Sequence, residues 1–258
     1  MRILYLTNGQ TPHDLRFAKA LAQTQHEVFV LSLAGIVTGW PENISPVPWE
    51  PSRRNWLRIQ LQAPKLKSVI RNLQPDIVHA GPVQGPAFLA AVSQVHPLVT
   101  MSWGSDLLLD AERNLQSKKI TRFTLSNTDV LVGDSKCILD QAVKFGYIGP
   151  YFQFPWGVDL AHFSPHGASS LRGQLGWQDE TVFLSMRSFE SLYDVDCIVQ
   201  AFCSAAHTRP DLRLLVFGQG SREVILRKKI NDAGLSERVY FGGIANLKGL
   251  PDVYKSAD

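Results

Sequence analysis

This 258-residue chain has only three cysteines, a formal net charge of only +3 and no long apolar run. No apolar stretch approaches the roughly 20 residues that a membrane-spanning helix needs, and no secretory signal pattern follows Met1. The small net charge gives no argument for a nucleic-acid partner. The odd cysteine count and the absence of metal-ligand spacing argue against disulfides and a metal centre. We therefore expect a cytoplasmic protein in which Cys137, Cys197 and Cys203 are reduced, buried thiols.

Apolar runs of strand length recur along the chain and alternate with helical patterns. The runs span residues 2–7, 27–33, 76–80, 98–103, 129–133, 181–187, 212–217 and 239–243. This alternation predicts an α/β protein with parallel sheets. The stretch FQFPWGVDLAHFSP (152–165) has the Pro and Gly spacing of a connector, which predicts domains over residues 1–160 and 161–258. A cleft between two such domains is the usual place for a ligand.

Several residues that could contact a ligand lie at the ends of the predicted strands in the first half. They are Asn8, Gly9, His79, Trp103, Gly104, Ser105, Asp106, Asp134 and Ser135. The carboxyl ends of parallel strands form the ligand edge of such a sheet, and Gly9 lets backbone approach a phosphate or sugar or simply makes a βα turn. His79 is either an acid, base or ligand group or a hydrogen-bonded structural residue. Asp106 is either catalytic or the cap of a short helix.

A basic segment lies between the second and third predicted strands. Residues 53–71 carry six Lys or Arg side chains, no acid and several apolar residues, including Trp56. Such a segment can rest on an anionic membrane surface. Alternatively, its apolar side covers the first sheet and its basic side is solvated. Pro64 divides it into two short predicted helices.

The second half contains a glycine turn, Gly218-Gln219-Gly220, between a strand and a predicted helix over residues 222–233. Two glycines at this spacing let backbone N–H groups approach a phosphate. Glu223 occupies the place of the third glycine of a dinucleotide fingerprint, which argues against NAD. Arg187 ends the predicted strand over residues 181–187, where its guanidinium can pair with a diphosphate.

Taken in order, several segments resemble one family over nearly the whole chain. They are PDIVHAG (75–81), GSDLL (104–108), PWGVDLAHFSP (155–165), MRSFESLYDVDCIVQAF (186–202), LLVFGQG (214–220) and RVYFGGI (238–244). The chain is similar to the retaining glycosyltransferases of family four. The resemblance implies a GT-B fold, in which two Rossmann-like parallel-sheet domains face each other across a cleft.

The resemblance also implies roles for individual residues. The first domain would be the acceptor side, with His13, His79, Trp103 and Ser135, and Asp106 would lie near the transferred sugar as a catalytic candidate. The nucleotide-diphosphate sugar would be bound mainly by the second domain. Donor contacts would come from Asn8, Gly9, Arg187, Gly218, Gln219, Gly220, Gly243 and Ile244. The acceptor would be a glycan, a lipid-linked molecule or a small molecule, and no metal or further cofactor would be required.

Some features depart from the family pattern. Leu192 stands where the family usually has a lysine, the second cation that pairs with the diphosphate. Trp103 stands where many members have a histidine, so Trp103 could instead stack on a sugar. Family members also continue through a segment with two glutamates, and we therefore expect an incomplete second domain and weak donor binding by this chain alone. Two alternatives stay open: a non-catalytic partner subunit of the same fold, and a nucleotide-sugar epimerase. The epimerase is disfavoured because acids are sparse at these strand ends.

Overall fold

The computed structural model describes residues 1–9, 11–35, 39–50 and 56–258. They divide into two compact units, Met1–Gly157 and Val158–Asp258. Each unit has buried apolar clusters of its own. None of the helices in the described residues combines the length and apolar character that crossing a bilayer requires.

The first unit is built on a parallel sheet. Its strands, in the described residues, are β1 (Arg2–Thr7), β2 (Glu27–Ser32), β3 (Ile44–Pro46), β4 (Ile77–Ala80), β5 (Leu98–Met101), β6 (Val130–Gly133) and β7 (Tyr151–Gln153). They lie side by side in the order β3-β2-β1-β4-β5-β6-β7, and every neighbouring pair is parallel. Because all strands run the same way, the segments that follow them meet at one edge of the sheet.

Helices cover both faces of this sheet. They are α1 (Pro12–Ala22), α2 (Ala63–Leu73), α3 (Phe88–Val92), α4 (Ser105–Leu108), α5 (Leu115–Ser126) and α6 (Lys136–Lys144). Side chains alternate between the faces of a strand: Leu4 and Leu6 pack in the cluster that contains residues of α2 and α3, whereas Tyr5 packs with residues of α1. Strands β1 and β2 are buried on both sides, which explains their continuous apolar sequence.

The basic segment forms the two predicted helices, a 3-10 helix over Trp56–Gln62 followed by α2. Pro64 lies in the first turn of α2, where its missing N–H costs no hydrogen bond. Ala63 and Leu66 are buried in the core of the first unit. The apolar side of α2 therefore covers the sheet. Arg53 and Arg54 lie outside the described residues.

The second unit contains a smaller parallel sheet within its described residues. Its strands are β8 (Thr181–Met186), β9 (Leu212–Phe217) and β10 (Val239–Gly243), in the order β10-β9-β8. Its helices are α7 (Ser170–Leu175), α8 (Val195–Ala206), α9 (Glu223–Asp232) and α10 (Leu250–Lys255). Residues of α8 and α9 pack with one group of β9 side chains, and residues of α7 and α10 pack with another. The unit thus has the layered βα pattern predicted from its sequence.

The expectation of buried thiols was wrong for two of the three cysteines. Cys137 and Cys197 are exposed, Cys203 is half-buried, and all three are free thiols. In α8 the buried face consists of Val195, Val199, Phe202 and Ala206. Cys197 lies off this face because its position does not follow the three-to-four residue spacing of the buried side chains.

Candidate functional site

A cavity of about 930 Å³ lies in the first unit at the edge where its strands end. Its walls come from the segments after β1, β2, β4 and β5 and from the start of α5. Hydroxyl, amide and carboxylate side chains dominate the lining, among them Asn8, Gln84, Asp110 and Asn114, and Arg113 adds a cation. We call this the first cavity. Its polar groups suit a ligand rich in hydroxyl groups.

Asp106 lines the first cavity and is buried. One carboxylate oxygen accepts hydrogen bonds from the Ser102 hydroxyl and from the N–H groups of Trp103 and Leu107, at 2.6, 3.1 and 3.0 Å. The other oxygen accepts from the Val83 N–H at 3.0 Å. Burial raises the pKa of Asp106, and these four hydrogen bonds oppose the rise. The carboxylate therefore fixes the turn between β5 and α4.

Asp14 is a second buried carboxylate in the lining of the first cavity. It forms a capping box with Thr11 at the start of α1, and it also accepts hydrogen bonds from the hydroxyls of Tyr5 and Thr7. Burial, followed by the charge of Asp14, raises the pKa of Tyr5. Asp14 was not among the predicted site residues, although the Thr-x-x-Asp spacing before an apolar helix was a visible signal.

An aromatic cluster in the first unit joins α1 to the segments that follow β5 and β7. Phe17 contacts Trp103 and Trp156 edge-on, with ring centroids 5.8 and 5.3 Å apart. Trp103 and Trp156 stack with centroids 5.1 Å apart and an interplanar angle of 17°. His13 contacts both indoles at 5.5 and 6.1 Å. Trp103 thus stacks on a tryptophan of the same unit, while another part of it lines the first cavity.

His79 belongs to the same aromatic surroundings, where its ring meets Tyr5 and Phe17 edge-on at 5.5 and 6.3 Å. Its Nε2 atom is buried and has no hydrogen-bond partner among the described residues. Burial lowers the pKa of His79 from 6.5 to about 4. The imidazole is therefore neutral at pH 7, and its protonation in the folded protein costs free energy.

This geometry predicts a pH dependence of folding. The unfolded chain binds a proton at His79 as the pH falls below about 6.5, whereas the folded chain does so only near pH 4. Above pH 6.5, proton binding at His79 does not lower the free energy of unfolding. As the pH falls from 7 to 4, up to about 3 kcal/mol of this free energy is lost, because the unfolded chain binds the proton more readily. We expect His79→Phe to flatten this slope in urea unfolding measured across pH 4 to 7. The exposed His166→Phe is the control. Equal slopes for wild type and His79→Phe would refute the assignment.

Apart from Trp103, the residues that were predicted for the acceptor side lie outside the first cavity. Among the described residues, His13, His79 and Ser135 do not line it. The Ser135 hydroxyl contacts the Asp134 carboxylate at 3.0 Å and the Cys137 sulfur at 3.1 Å. Within the same part of the chain, no three His, Cys, Asp or Glu side chains are grouped so that they could hold a metal ion.

The glycine turn of the second unit packs directly against the segment that follows β8. A Cβ atom on Gly218 would lie 2.1 Å from the Arg187 carbonyl oxygen, and one on Gly220 would lie 2.6 Å from the Phe189 carbonyl oxygen. The Phe189 N–H donates to the Gln219 carbonyl at 3.0 Å. Only glycine fits at both places, where the φ angles are 153° and 157°.

Arg187 therefore lies beside the glycine turn at the carboxyl edge of the second sheet. Its side chain is exposed, with Cζ 5.7 Å from the centroid of the Tyr193 ring. Across the described residues, no carboxylate lies within ion-pair distance of its guanidinium. Such a guanidinium can pair with phosphate oxygens without losing an existing partner.

Gly243 and Ile244 lie at the same edge of the second sheet. The Gly218 N–H donates to the Gly243 carbonyl at 2.8 Å, and the Ile244 side chain is exposed. The ends of β8, β9 and β10 thus bring Arg187, the glycine turn and Gly243 together. Asn8 and Gly9 belong to the first unit. Asn8 lines the first cavity, and the next residue, Gly9, has a φ angle of 66°.

Glu190 was not predicted, yet it contacts the glycine turn. Its carboxylate accepts from the Ser221 N–H at 2.9 Å and from the Ser221 hydroxyl at 2.6 Å. These hydrogen bonds hold the pKa of Glu190 below its usual value. The turn before α9 thus already binds an anion, one supplied by the chain itself.

Comparisons with known proteins agree for both units. Residues 2–135, more than half of the chain, match the family described as "Glycosyl transferase 4-like". Residues 169–258 match the family described as "Glycosyl transferases group 1". These matches come from different parts of the sequence and point to the same class of enzyme.

Individual relatives support the same class. A GDP-mannose-dependent monoacylated alpha-(1-6)-phosphatidylinositol monomannoside mannosyltransferase from Corynebacterium glutamicum is 29% identical over 118 residues, which is 44% of this chain and 30% of that enzyme's length. HepE from Anabaena, solved with UDP and glucose, superposes over 100% of this chain and 72% of its own, with a TM-score of 0.75 and 15% identity. Sucrose-phosphate synthase from Thermosynechococcus elongatus superposes over 99% and 73%, with a TM-score of 0.73 and 15% identity. At these identities the two structures show a shared GT-B fold.

Proposed function

Because the chain belongs to the Glycosyl transferase 4-like family of glycosyltransferases, we propose that it moves a sugar from a nucleotide-diphosphate sugar to an acceptor hydroxyl, with retention of configuration at the anomeric carbon. The observation that carries this proposal is the position of the exposed Arg187 beside the glycine turn. A cation next to glycine-lined backbone is what a departing diphosphate requires. HepE, which has the same fold, was solved with UDP and with UDP-glucose, which supports a nucleotide-sugar donor.

In this proposal the second unit binds most of the donor. Arg187 pairs with the diphosphate, Gly218, Gln219 and Gly220 line it, and the backbone at Gly243 and Ile244 meets the base. No metal or cofactor is required in this scheme, because a guanidinium and the start of α9 can offset the charge of the departing diphosphate.

The first cavity is the proposed acceptor site. Its hydroxyl, amide and carboxylate lining favours an uncharged, polyhydroxylated group, such as the sugar of a glycan or lipid-linked acceptor, since in its described lining Asp14, Asp106 and Asp110 outnumber the cation Arg113. We propose that Asp106 lies near the transferred sugar. Its four hydrogen bonds favour a positioning role for it, in which it orients the turn that carries Trp103.

A transfer assay tests the proposal. The protein is incubated with radiolabelled UDP and GDP sugars and with candidate acceptors, and products are separated by chromatography. The proposal expects labelled acceptor or, without acceptor, slow release of free sugar whose anomeric configuration matches the donor. Inversion at C2 of the donor sugar would instead indicate an epimerase, which the family match disfavours. An inverted anomeric centre in the product would contradict retention.

A non-catalytic partner subunit is the second candidate. Leu192 in place of the usual lysine favours it, because it removes one diphosphate cation. Stacking of Trp103 on Trp156 also favours it, since one face of the indole is already covered. A protein that binds UDP or GDP without transfer or hydrolysis in any of these assays would establish this alternative.

We further propose that the protein works in the cytoplasm, with peripheral contact to the inner face of the membrane through residues 53–71. Lys65, Lys67 and Arg71 are exposed on α2, and exposed basic residues are attracted to anionic lipid. Co-sedimentation with liposomes is the test. Binding to anionic but not to neutral liposomes at low salt supports the contact, and no binding to either removes it.

Glu190 yields a prediction about donor affinity. If the diphosphate approaches the glycine turn, the nearby carboxylate repels it, and Glu190→Gln removes this charge while the amide oxygen still accepts from Ser221. We expect the donor KM to fall roughly threefold, the size of a solvent-exposed charge interaction. Glu237→Gln, an exposed charge change in the same unit, is the control. An increased KM would show that Glu190 helps to hold the donor instead.

A further inference from the structure

A second cavity, of about 540 Å³, lies on the opposite edge of the first sheet, where β4 and β5 begin. One face of α2 and the segment between α3 and β5 form its walls. None of the residues proposed to bind donor or acceptor lines this cavity in the described part of the chain. It is therefore separate from the first cavity.

The charged side chains in the described lining of the second cavity are Lys67 and Arg71, both basic. Lys67 and Arg71 are four residues apart on α2 and so face the same way, and His96 lies on the opposite wall. No carboxylate is among the lining residues in the described ranges. An acid that contacts one of them is Asp129, which is already bonded to His96 Nδ1 at 2.8 Å and to the Leu98 N–H at 2.6 Å.

The segment that contains Ser93 and Gln94 forms the wall opposite α2. The Lys67 ammonium donates to the neutral amide oxygen of Gln94 at 3.1 Å, which orients it toward this wall. An oxygen-rich anion bound in the cavity would give the basic side chains a counter-ion.

We propose that the second cavity binds a phosphate monoester. Arg71 and Lys67 pair with the phosphate oxygens, and an apolar wall contacts the organic part. This wall is formed by Ile70, Val78 and Val95. Half of the lining is apolar and the volume exceeds that of a bare phosphate, which favours an ester over the free ion. The ester is either a free small molecule or the headgroup of a lipid.

Calorimetry with glycerol 3-phosphate tests this proposal. We expect saturable binding that weakens tenfold or more in Lys67→Ala/Arg71→Ala, because two charged hydrogen bonds are removed. It should be unchanged in Lys119→Ala/Lys136→Ala, which removes two charges elsewhere in the same unit, and in Arg187→Ala, which separates this site from the donor site. Binding only to vesicles that contain phosphatidic acid, and not to phosphatidylcholine vesicles, would assign the lipid headgroup as the source. Equal binding by the wild type and Lys67→Ala/Arg71→Ala, or a wild type that binds neither glycerol 3-phosphate nor phosphatidic acid vesicles, would overturn the proposal.

Discussion

Arg187→Ala should reduce kcat/KM for the sugar donor by a factor on the order of 10 to 1000. The guanidinium has no ion-pair partner among the described residues, so its charge is available to the leaving diphosphate. Charged hydrogen bonds of about 1.5 to 3 kcal/mol each, strengthened in the transition state, give this range. Initial rates over a range of donor concentrations measure it.

Two further variants sharpen this result. Arg187→Lys keeps the charge but loses the planar fork, and we expect it to recover part of the activity. Arg209→Ala is the control, because Arg209 pairs with Asp211 just before β9, at the opposite edge of the same sheet. An Arg187→Ala enzyme with the rate of wild type would remove Arg187 from the donor site.

Gly218→Ala should destabilise the second unit by about 2 to 4 kcal/mol and abolish donor binding. The new methyl group would lie 2.1 Å from the Arg187 carbonyl oxygen and 3.0 Å from the Phe189 ring. The nearer obstacle is backbone, which cannot rotate away as a long side chain can. The segment that carries Arg187 must therefore move. Urea unfolding measures the loss of stability, and calorimetry with UDP and GDP measures the loss of binding.

Gly173→Ala is the matched control for this substitution. Gly173 lies inside α7, and a methyl group added there would have its nearest neighbouring atom 4.0 Å away. Alanine at such a position stabilises by up to about 1 kcal/mol, because it restricts the unfolded chain. If Gly218→Ala were as stable as Gly173→Ala, the tight packing of the glycine turn against the segment after β8 would be refuted.

The sequence was sufficient to predict eight of the ten strands in the described residues. Each of the eight predicted runs contains a strand, because a parallel strand buried on both faces has an uninterrupted apolar sequence. The predicted helix over residues 222–233 is also present, as α9 over Glu223–Asp232. β3 and β7 were not among the predicted runs, since each has only three residues and β3 also ends in a proline. A strand this short carries no periodic pattern.

The closeness of Arg187 to the glycine turn follows from the strand pattern, whereas the lining of the first cavity does not. Arg187 and the glycine turn lie near each other because neighbouring parallel strands end at a common edge, which the strand order makes predictable. The aromatic cluster could not be predicted, because His13, Trp103 and Trp156 are far apart in sequence and meet only in the folded unit. For the same reason Arg113 and the start of α5 were not expected in the first cavity.

Side-chain direction was the main source of error. The α8 sequence VDCIVQAFCSAA is apolar almost all round, so its composition did not reveal which face is buried and Cys197 was placed inside. Asp106 was ambiguous for a related reason, because a short polar residue after a strand suits both catalysis and the fixing of a turn. Its carboxylate accepts from four hydrogen-bond donors, which only the folded chain brings together.

We propose above all that Arg187 and the glycine turn bind the diphosphate of a nucleotide sugar. Hydrogen–deuterium exchange with and without UDP or GDP is the decisive experiment. We expect slower exchange at residues 187–190 and 218–222 with one of the two nucleotides, and loss of this protection in Arg187→Ala. Protection that is confined to other segments, or that persists unchanged in Arg187→Ala, would contradict the proposal.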